Sequence, residues 1–391
     1  MKNFKSYFMI LGILFISFNL RAPITCVGSV VELIQGDLGL SNTVAGFITT
    51  LPLVAFAVVS PFVAGVAGKI GPGRTMLAGL CLILAGEFVR SYTGAAGLFL
   101  GTAIIGVGIA IGNVIVPGII KQNFAHWVGT VTSIYTSGMC IYAAVGAGIS
   151  VPLATGMGLG WKTTLASWCV LTAITILIWL PQVIARHTPA AASAHKGSGS
   201  SIWKSKLAWW VTLFMGLQSL VFYSLVAWLP TIVTSKGMST DFAGRMALLF
   251  QLMAIPATLL IPVLCDRFDD QRILVVATCV IYALGMGCFL LSASATMVMV
   301  AVVLMAIGMG GCISLSIAFI SLRSPSAQRA AQLSGMSQSA GYLLAAVGPV
   351  ITGLLFDLHN SWTIPLLLFI ALIACLALCG YHAGHNETVA E

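Results

Sequence analysis

Arg21 lies inside an apolar run from about Tyr7 to Val31 and is its only charged residue before Glu32. A helix rising ~1.5 Å per residue would place it between the middle of a ~30 Å hydrocarbon layer and its far side. A guanidinium cannot shed its proton there. Three readings are open: snorkelling toward the end of the run, a structural pairing with another helix, or a polar cavity in which Arg21 meets a solute. The fork of donors on Arg21 suits a carboxylate, a nitro group or another delocalised oxygen group. Other polar side chains sit in similar apolar runs: Asn19 beside Arg21, then Asn113, Gln218, Tyr223, Trp228, Gln338 and Tyr342, with Tyr135, Tyr142 and Gln251 completing the set. Amides such as Asn113 and Gln218 can add hydrogen bonds to a solute, or can bond helix to helix. Tyr223 and Trp228 can stack on a flat ring, and Trp228 can equally anchor an interface.

Glu87 and Arg90 are three residues apart, a spacing that suits a local ion pair with a structural role. No nucleophile–base–acid set, metal-ligand cluster or nucleotide loop is visible, so an enzyme is not expected and neither is a cofactor. The ten cysteines fall in or beside apolar segments and do not read as a disulfide framework.

The elements that must position these residues are membrane spans. Of 391 residues 59% are hydrophobic, with only 18 basic and 10 acidic side chains. No soluble core needs so apolar a surface, so the chain reads as an all-α membrane protein in contact with the lipid bilayer. Twelve spans can be drawn, near 7–31, 42–66, 75–91, 96–120, 128–154, 163–182, 207–232, 241–264, 273–291, 296–322, 331–356 and 362–380. The loops on the side of both termini hold 13 of the 18 basic residues. The positive-inside rule then expects both termini in the cytoplasm, and explains the net charge of +8 without nucleic acid. A small, polar stretch at 183–206 reads as a cytoplasmic linker between six spans (1–182) and six spans (207–380), with a tail at 381–391. Ala143-Ala144-Val145-Gly146 recurs as Ala345-Ala346-Val347-Gly348, and Lys121 and Arg323 share the same offset of 202. Two like halves in parallel imply a pseudo-twofold axis along the membrane normal, with a cavity between them.

Three stretches carry a family resemblance: Asn19-Leu20-Arg21-Ala22-Pro23-Ile24-Thr25, Thr49-Thr50-Leu51-Pro52-Leu53-Val54-Ala55-Phe56, and the run Gly106 to Lys121 with Gly106, Gly108, Gly112, Asn113, Pro117 and Gly118. The chain resembles the cyanate/2-nitroimidazole transporter family of the major facilitator superfamily. The resemblance implies the major facilitator fold, twelve transmembrane helices in two six-helix bundles. It also implies alternating-access transport, secondary active or facilitative, of a small planar or anionic organic solute across a bacterial inner membrane. Broad drug efflux and a membrane-embedded solute sensor are the alternatives. A monomer is expected, and a proton is left open as coupling ion. The superfamily's acidic, arginine-rich loop implies gating roles for Lys69 and Arg74 in the first half and for Asp266, Arg267 and Arg272 in the second. Its customary aspartate is Gly68 in the first half, so the gate is expected to be lopsided toward Asp266.

Overall fold

The computed structural model of the chain describes residues 2–40, 42–184, 201–292 and 294–390. Twelve spans among the described residues are long and apolar enough to cross a membrane, matching the number expected. In hydrocarbon each backbone N–H and C=O must be satisfied within the chain, so long apolar runs become helices.

The first span departs from expectation. It breaks into α1 (Lys2–Asn19) and α2 (Ala22–Ser29), with Leu20 and Arg21 between them. Pro23 has no N–H to offer the Asn19 carbonyl. The chain tightens instead: Leu20 N–H donates to the Ser17 carbonyl at 3.3 Å and Arg21 N–H to the Phe18 carbonyl at 3.4 Å. A short helix α3 (Val31–Leu38) ends at Gly39, whose φ of 62° only glycine adopts readily. Then follow α4 (Asn42–Ile70), α5 (Pro72–Tyr92), α6 (Gly94–Asn123), α7 (Val128–Val151, prolonged by one π-helical stretch at Pro152–Gly156) and α8 (Gly160–Ile184). After a 3-10 turn at Ile202–Lys204 come α9 (Lys206–Ser235), α10 (Thr240–Cys265), α11 (Arg272–Leu291), α12 (Ala295–Leu322), α13 (Ala327–His359) and α14 (Thr363–Ala383). Most of the expected linker, 185–200, lies outside the described residues. The expected tail is shorter than drawn, because α14 runs to Ala383. The segment after it folds back, with Val389 N–H donating to the Arg323 carbonyl at 2.8 Å.

The helices of each half pack tightly on one another. In the first half α5 packs on α6 and α8, and α4 on α6; in the second α9 packs on α13 and α14, and α12 on α10 and α11. The halves meet through α4 with α13, α6 with α12 and α13, and α7 with α10 and α12. Side-chain hydroxyls stitch this seam. Ser133 donates to the Leu259 carbonyl at 2.7 Å, Ser334 to that of Asn113 at 3.0 Å and Ser321 to that of Pro117 at 3.0 Å. Ser137 sits 3.2 Å from the Thr258 hydroxyl, and its repeat-equivalent Ser339 donates to the Ala57 carbonyl at 2.6 Å. These residues lie toward the linker-side ends of their helices, so the linker side is closed.

Asp266, at the end of α10, crosses the seam. Its carboxylate accepts from Gly129 N–H at 2.7 Å, Thr130 N–H at 2.8 Å and the Thr130 hydroxyl at 2.8 Å. It thereby caps the first turn of α7, where unpaired donors and the positive end of the helix dipole favour an anion. Gly129 permits this approach, since a Cβ there would lie 1.8 Å from the Pro262 carbonyl. Lys69, Arg74 and Arg267 are exposed on the same side and make no hydrogen bond or ion pair across the seam among the described residues. Arg272 pairs within its own half, its Nε donating to Asp270 Oδ2 at 2.8 Å. This partner holds the Asp270 carboxyl below its usual range.

Replacing Asp266 by Ala is expected to loosen the linker side. A helix cap is worth ~1 kcal/mol, which corresponds to about a fivefold change in the closed-to-open ratio. Spin-label distances between the linker-side ends of α7 and α10 would read that change. An unaltered distance distribution would show that the cap does not hold the seam.

Candidate functional site

The break in the first span aims Arg21 at the second half. The first and seventh spans do not pack along their length, and Arg21 reaches α9 by side chain alone, its Nη1 donating to the Tyr223 hydroxyl at 3.3 Å. Arg21 is half-buried and has no carboxylate partner among the described residues. Tyr342 of α13 lies against both Arg21 and Tyr223, with its ring centre 6.3 Å from that of Tyr223 and 5.1 Å from that of Phe56. Tyr135 and Cys140 of α7 close the other side. The Tyr135 hydroxyl donates to Asn113 Oδ1 at 3.2 Å, which ties α6 into the cluster.

The cluster follows the internal duplication. Arg21 and Tyr223 are 202 residues apart, the offset of the repeat, and Cys140 and Tyr342 are separated by the same interval. Arg21 and Tyr223, one equivalent pair, therefore meet across the seam, and both members of the other pair lie beside Arg21, as fits a pseudo-twofold axis. Of the residues singled out from sequence, the structure brings Arg21, Tyr223, Tyr342 and Asn113 together. Gln218 and Gln338 are both 3% exposed, and the side-chain carbonyl of each has no hydrogen-bond partner. Gln218 Nε2 donates to the Ser219 hydroxyl at 2.7 Å. Gln338 stands one turn from Tyr342 on α13.

Two of the expected residues are placed elsewhere. Asn19 turns away from Arg21 toward α8, donating to the Thr175 hydroxyl at 2.6 Å and accepting from that of Thr172 at 2.7 Å. Trp228 donates to the Pro349 carbonyl at 2.9 Å and lies 5.5 Å from Trp362, so its ring binds α9 to α13 and α14. The ion pair expected of Glu87 and Arg90 does not form either. Arg90 Nη1 donates to the Pro23 carbonyl at 2.5 Å, and Glu87 Oε2 lies 2.9 Å from the Thr172 hydroxyl. Helical spacing allows that pair, but the carbonyl at the start of α2 competes for the guanidinium.

Tyr135, Cys140 and Phe56 join the cluster without having been assigned to it from sequence. The duplication offers a signal for Cys140, because adding the repeat offset to it gives Tyr342. Tyr142, in contrast, stacks on Phe18 with ring centres 3.6 Å apart. The assembled group is one fixed cation, phenol hydroxyls, an amide and aromatic faces, drawn from both halves.

The profile of the Major Facilitator Superfamily matches residues 9–292 and 237–387. An uncharacterized transporter of Bacillus subtilis (strain 168), YycB, is 47% identical over 388 residues, covering 99% of this chain and 96% of that protein. The 2-nitroimidazole transporter of Escherichia coli (strain K12) is 39% identical over 384 residues, covering 97% of this chain and 96% of its own. Among solved structures, the proton:xylose symporter XylE superposes with a TM-score of 0.78 at 14% identity, covering 96% of this chain and 95% of that one. The chain is a multi-pass secondary transporter, not an enzyme, and belongs to the major facilitator superfamily.

Proposed function

We propose that the protein moves a small planar or anionic organic solute, 2-nitroimidazole-like or cyanate-like, across a bacterial inner membrane by alternating access. The observation that carries this reading is Arg21, a membrane-embedded cation with phenol partners and no carboxylate among the described residues. A solute bearing delocalised oxygen would complete its hydrogen bonding and offset its charge. Tyr223, Tyr342 and Phe56 would flank a ring, and Asn113, Gln218 and Gln338 would supply amides. The E. coli relative supports the 2-nitroimidazole class. An unneutralised cation in the site argues against broad efflux of cationic drugs.

In this reading the protein works as a monomer, with both termini and the linker in the cytoplasm. The Asp266 cap then closes the cytoplasmic side, and its release is the gating step of the cycle. A cysteine at Ser198, which lies outside the described residues, is expected to resist a membrane-impermeant thiol reagent in intact cells whose native cysteines have been replaced. Efficient labelling there would reverse the orientation.

Arg21 sets selectivity. Lysine keeps the charge and loses the planar fork. A hydrogen bond to a charged group is worth ~1.5–3 kcal/mol, so Arg21→Lys is expected to weaken binding of a nitro- or carboxylate-bearing solute about tenfold. Arg21→Ala should lose about a hundredfold on the same scale. A ring of equal size lacking the acceptor group should bind both variants much as the parent does. Binding of the matched pair to purified protein, followed by uptake into liposomes, measures this. Equal losses for both solutes would make Arg21 structural, and full binding by a well-folded Arg21→Ala protein would remove it from the site.

A further inference from the structure

Glu87, near the far end of α5, is completely buried, and its Oε1 has no partner. Its Oε2 lies 2.9 Å from the Thr172 hydroxyl, which also lies 2.7 Å from Asn19 Oδ1. A threonine hydroxyl has one hydrogen. An ionised Glu87 and the amide oxygen are both acceptors, so one of these short contacts would lack a proton. Turning the Asn19 amide over does not help. Its Nδ2 donates to the Phe15 carbonyl at 2.8 Å and to the Thr175 hydroxyl at 2.6 Å, and the reversed amide would set oxygen against the Phe15 carbonyl. A protonated Glu87 satisfies the whole chain: Glu87 donates to Thr172, Thr172 to Asn19, Asn19 to Thr175, and Thr175 to the Leu171 carbonyl at 2.8 Å.

The surroundings agree. Arg90, one turn along the same helix, is close enough to act on a Glu87 charge but forms no salt bridge with it and donates to Pro23, with Cys26 Sγ 3.8 Å away. Cys169 of α8 lies beside the carboxyl. Lys162, near the far end of α8, is held by Asp37 at 3.2 Å. Lys69 and Lys121, the charged residues of α4 and α6, are at the linker-side ends of those helices. A charged Glu87 would be a buried anion with no cation hydrogen-bonded to it, which is unfavourable.

We infer that Glu87 is a proton-binding site of the transport cycle, and that its proton sets how the break around Arg21 is held. Asn19 is the last residue of α1 and Pro23 lies in the first turn of α2. Glu87 therefore acts, through Thr172, on one side of the break while Arg90 holds the other. When the Glu87 O–H bond breaks and the proton leaves to water, the carboxylate accepts the Thr172 hydrogen. Asn19 Oδ1 then loses its donor, and α1 is freed to shift against α5 and α8. The inference rests on the transport reading of the Arg21 site.

Infrared difference spectra of the protein in lipid, stepped in pH without solute, test the site itself. The expected result is a protonated-carboxyl C=O band that titrates in the parent and is missing in Glu87→Gln, a variant that keeps a hydrogen for Thr172. Binding of 2-nitroimidazole and of cyanate across the same pH range tests the coupling. Parent affinity should change about fivefold or more across the midpoint of the band, and the Glu87→Gln profile should be flat. Absence of the band, or the same pH profile in parent and variant, would overturn the inference. A titrating Glu87 band in a protein that binds neither solute would uphold the proton site and overturn the substrate reading.

Discussion

A permanent cation within a membrane span is the constraint on which the rest of this architecture depends. Arg21 cannot be neutralised by losing its proton, and lipid offers it nothing. The chain answers locally and globally. Locally, Pro23 interrupts the helix, so Arg21 leaves a helix end and is not confined to one lipid-facing stripe. Globally, the second half brings Tyr223 and Tyr342 to it. Phenols satisfy donors without cancelling charge, so the site keeps a positive potential that a solute can complete.

The duplicated halves share their packing and divide their chemistry. The repeat places Tyr223 where the first half has Arg21, and α11 carries no charged residue after Arg272, whereas α5 carries Glu87 and Arg90. Ionisable groups thus gather around the break in the first half, while the second half supplies aromatic faces and the phenols. At the linker-side end the division reverses. The second half has Asp266 where the corresponding loop of the first half has Gly68, and Asp266 reaches across to cap α7. Charge sits in one half at the centre and in the other at the edge, so a change at either place acts between the halves as well as within one.

Much of this was legible in the sequence. The number of spans followed from apolar run lengths, because a bilayer demands about twenty apolar residues per helix. Arg21 stood out because a lone charge in such a run has few explanations. Side-chain direction was not legible. Asn19 and Arg21 are two residues apart, yet Asn19 ends α1 and Arg21 stands in the break after it, so one faces α8 and the other faces the second half. Trp228 satisfied every chemical criterion for stacking on a solute, but its indole N–H needed an acceptor and found the Pro349 carbonyl. The pairing of Glu87 with Arg90 failed for a similar reason. Spacing shows which groups can meet, but not which backbone acceptor competes for them.

The seam between the halves also fits a protein that must part and re-form it. Helices in lipid gain little from burying apolar surface against each other, so association rests on close packing and hydrogen bonds. Within each half, glycines bring backbones into contact: a Cβ on Gly101 would lie 2.3 Å from Arg90 N, and one on Gly308 would lie 2.5 Å from Tyr282 Cβ. Such surfaces cannot slide without separating many atoms at once. The seam has such an approach at Gly129, and adds single hydroxyls reaching main-chain carbonyls, from Ser133, Ser321, Ser334 and Ser339. Each is worth ~1 kcal/mol net, and a serine that loses its cross-seam acceptor can turn to a carbonyl of its own helix. Rigid halves joined by replaceable bonds move as bodies, and the break at Arg21 is then the place where a local change in the first half can be passed to the axis between them.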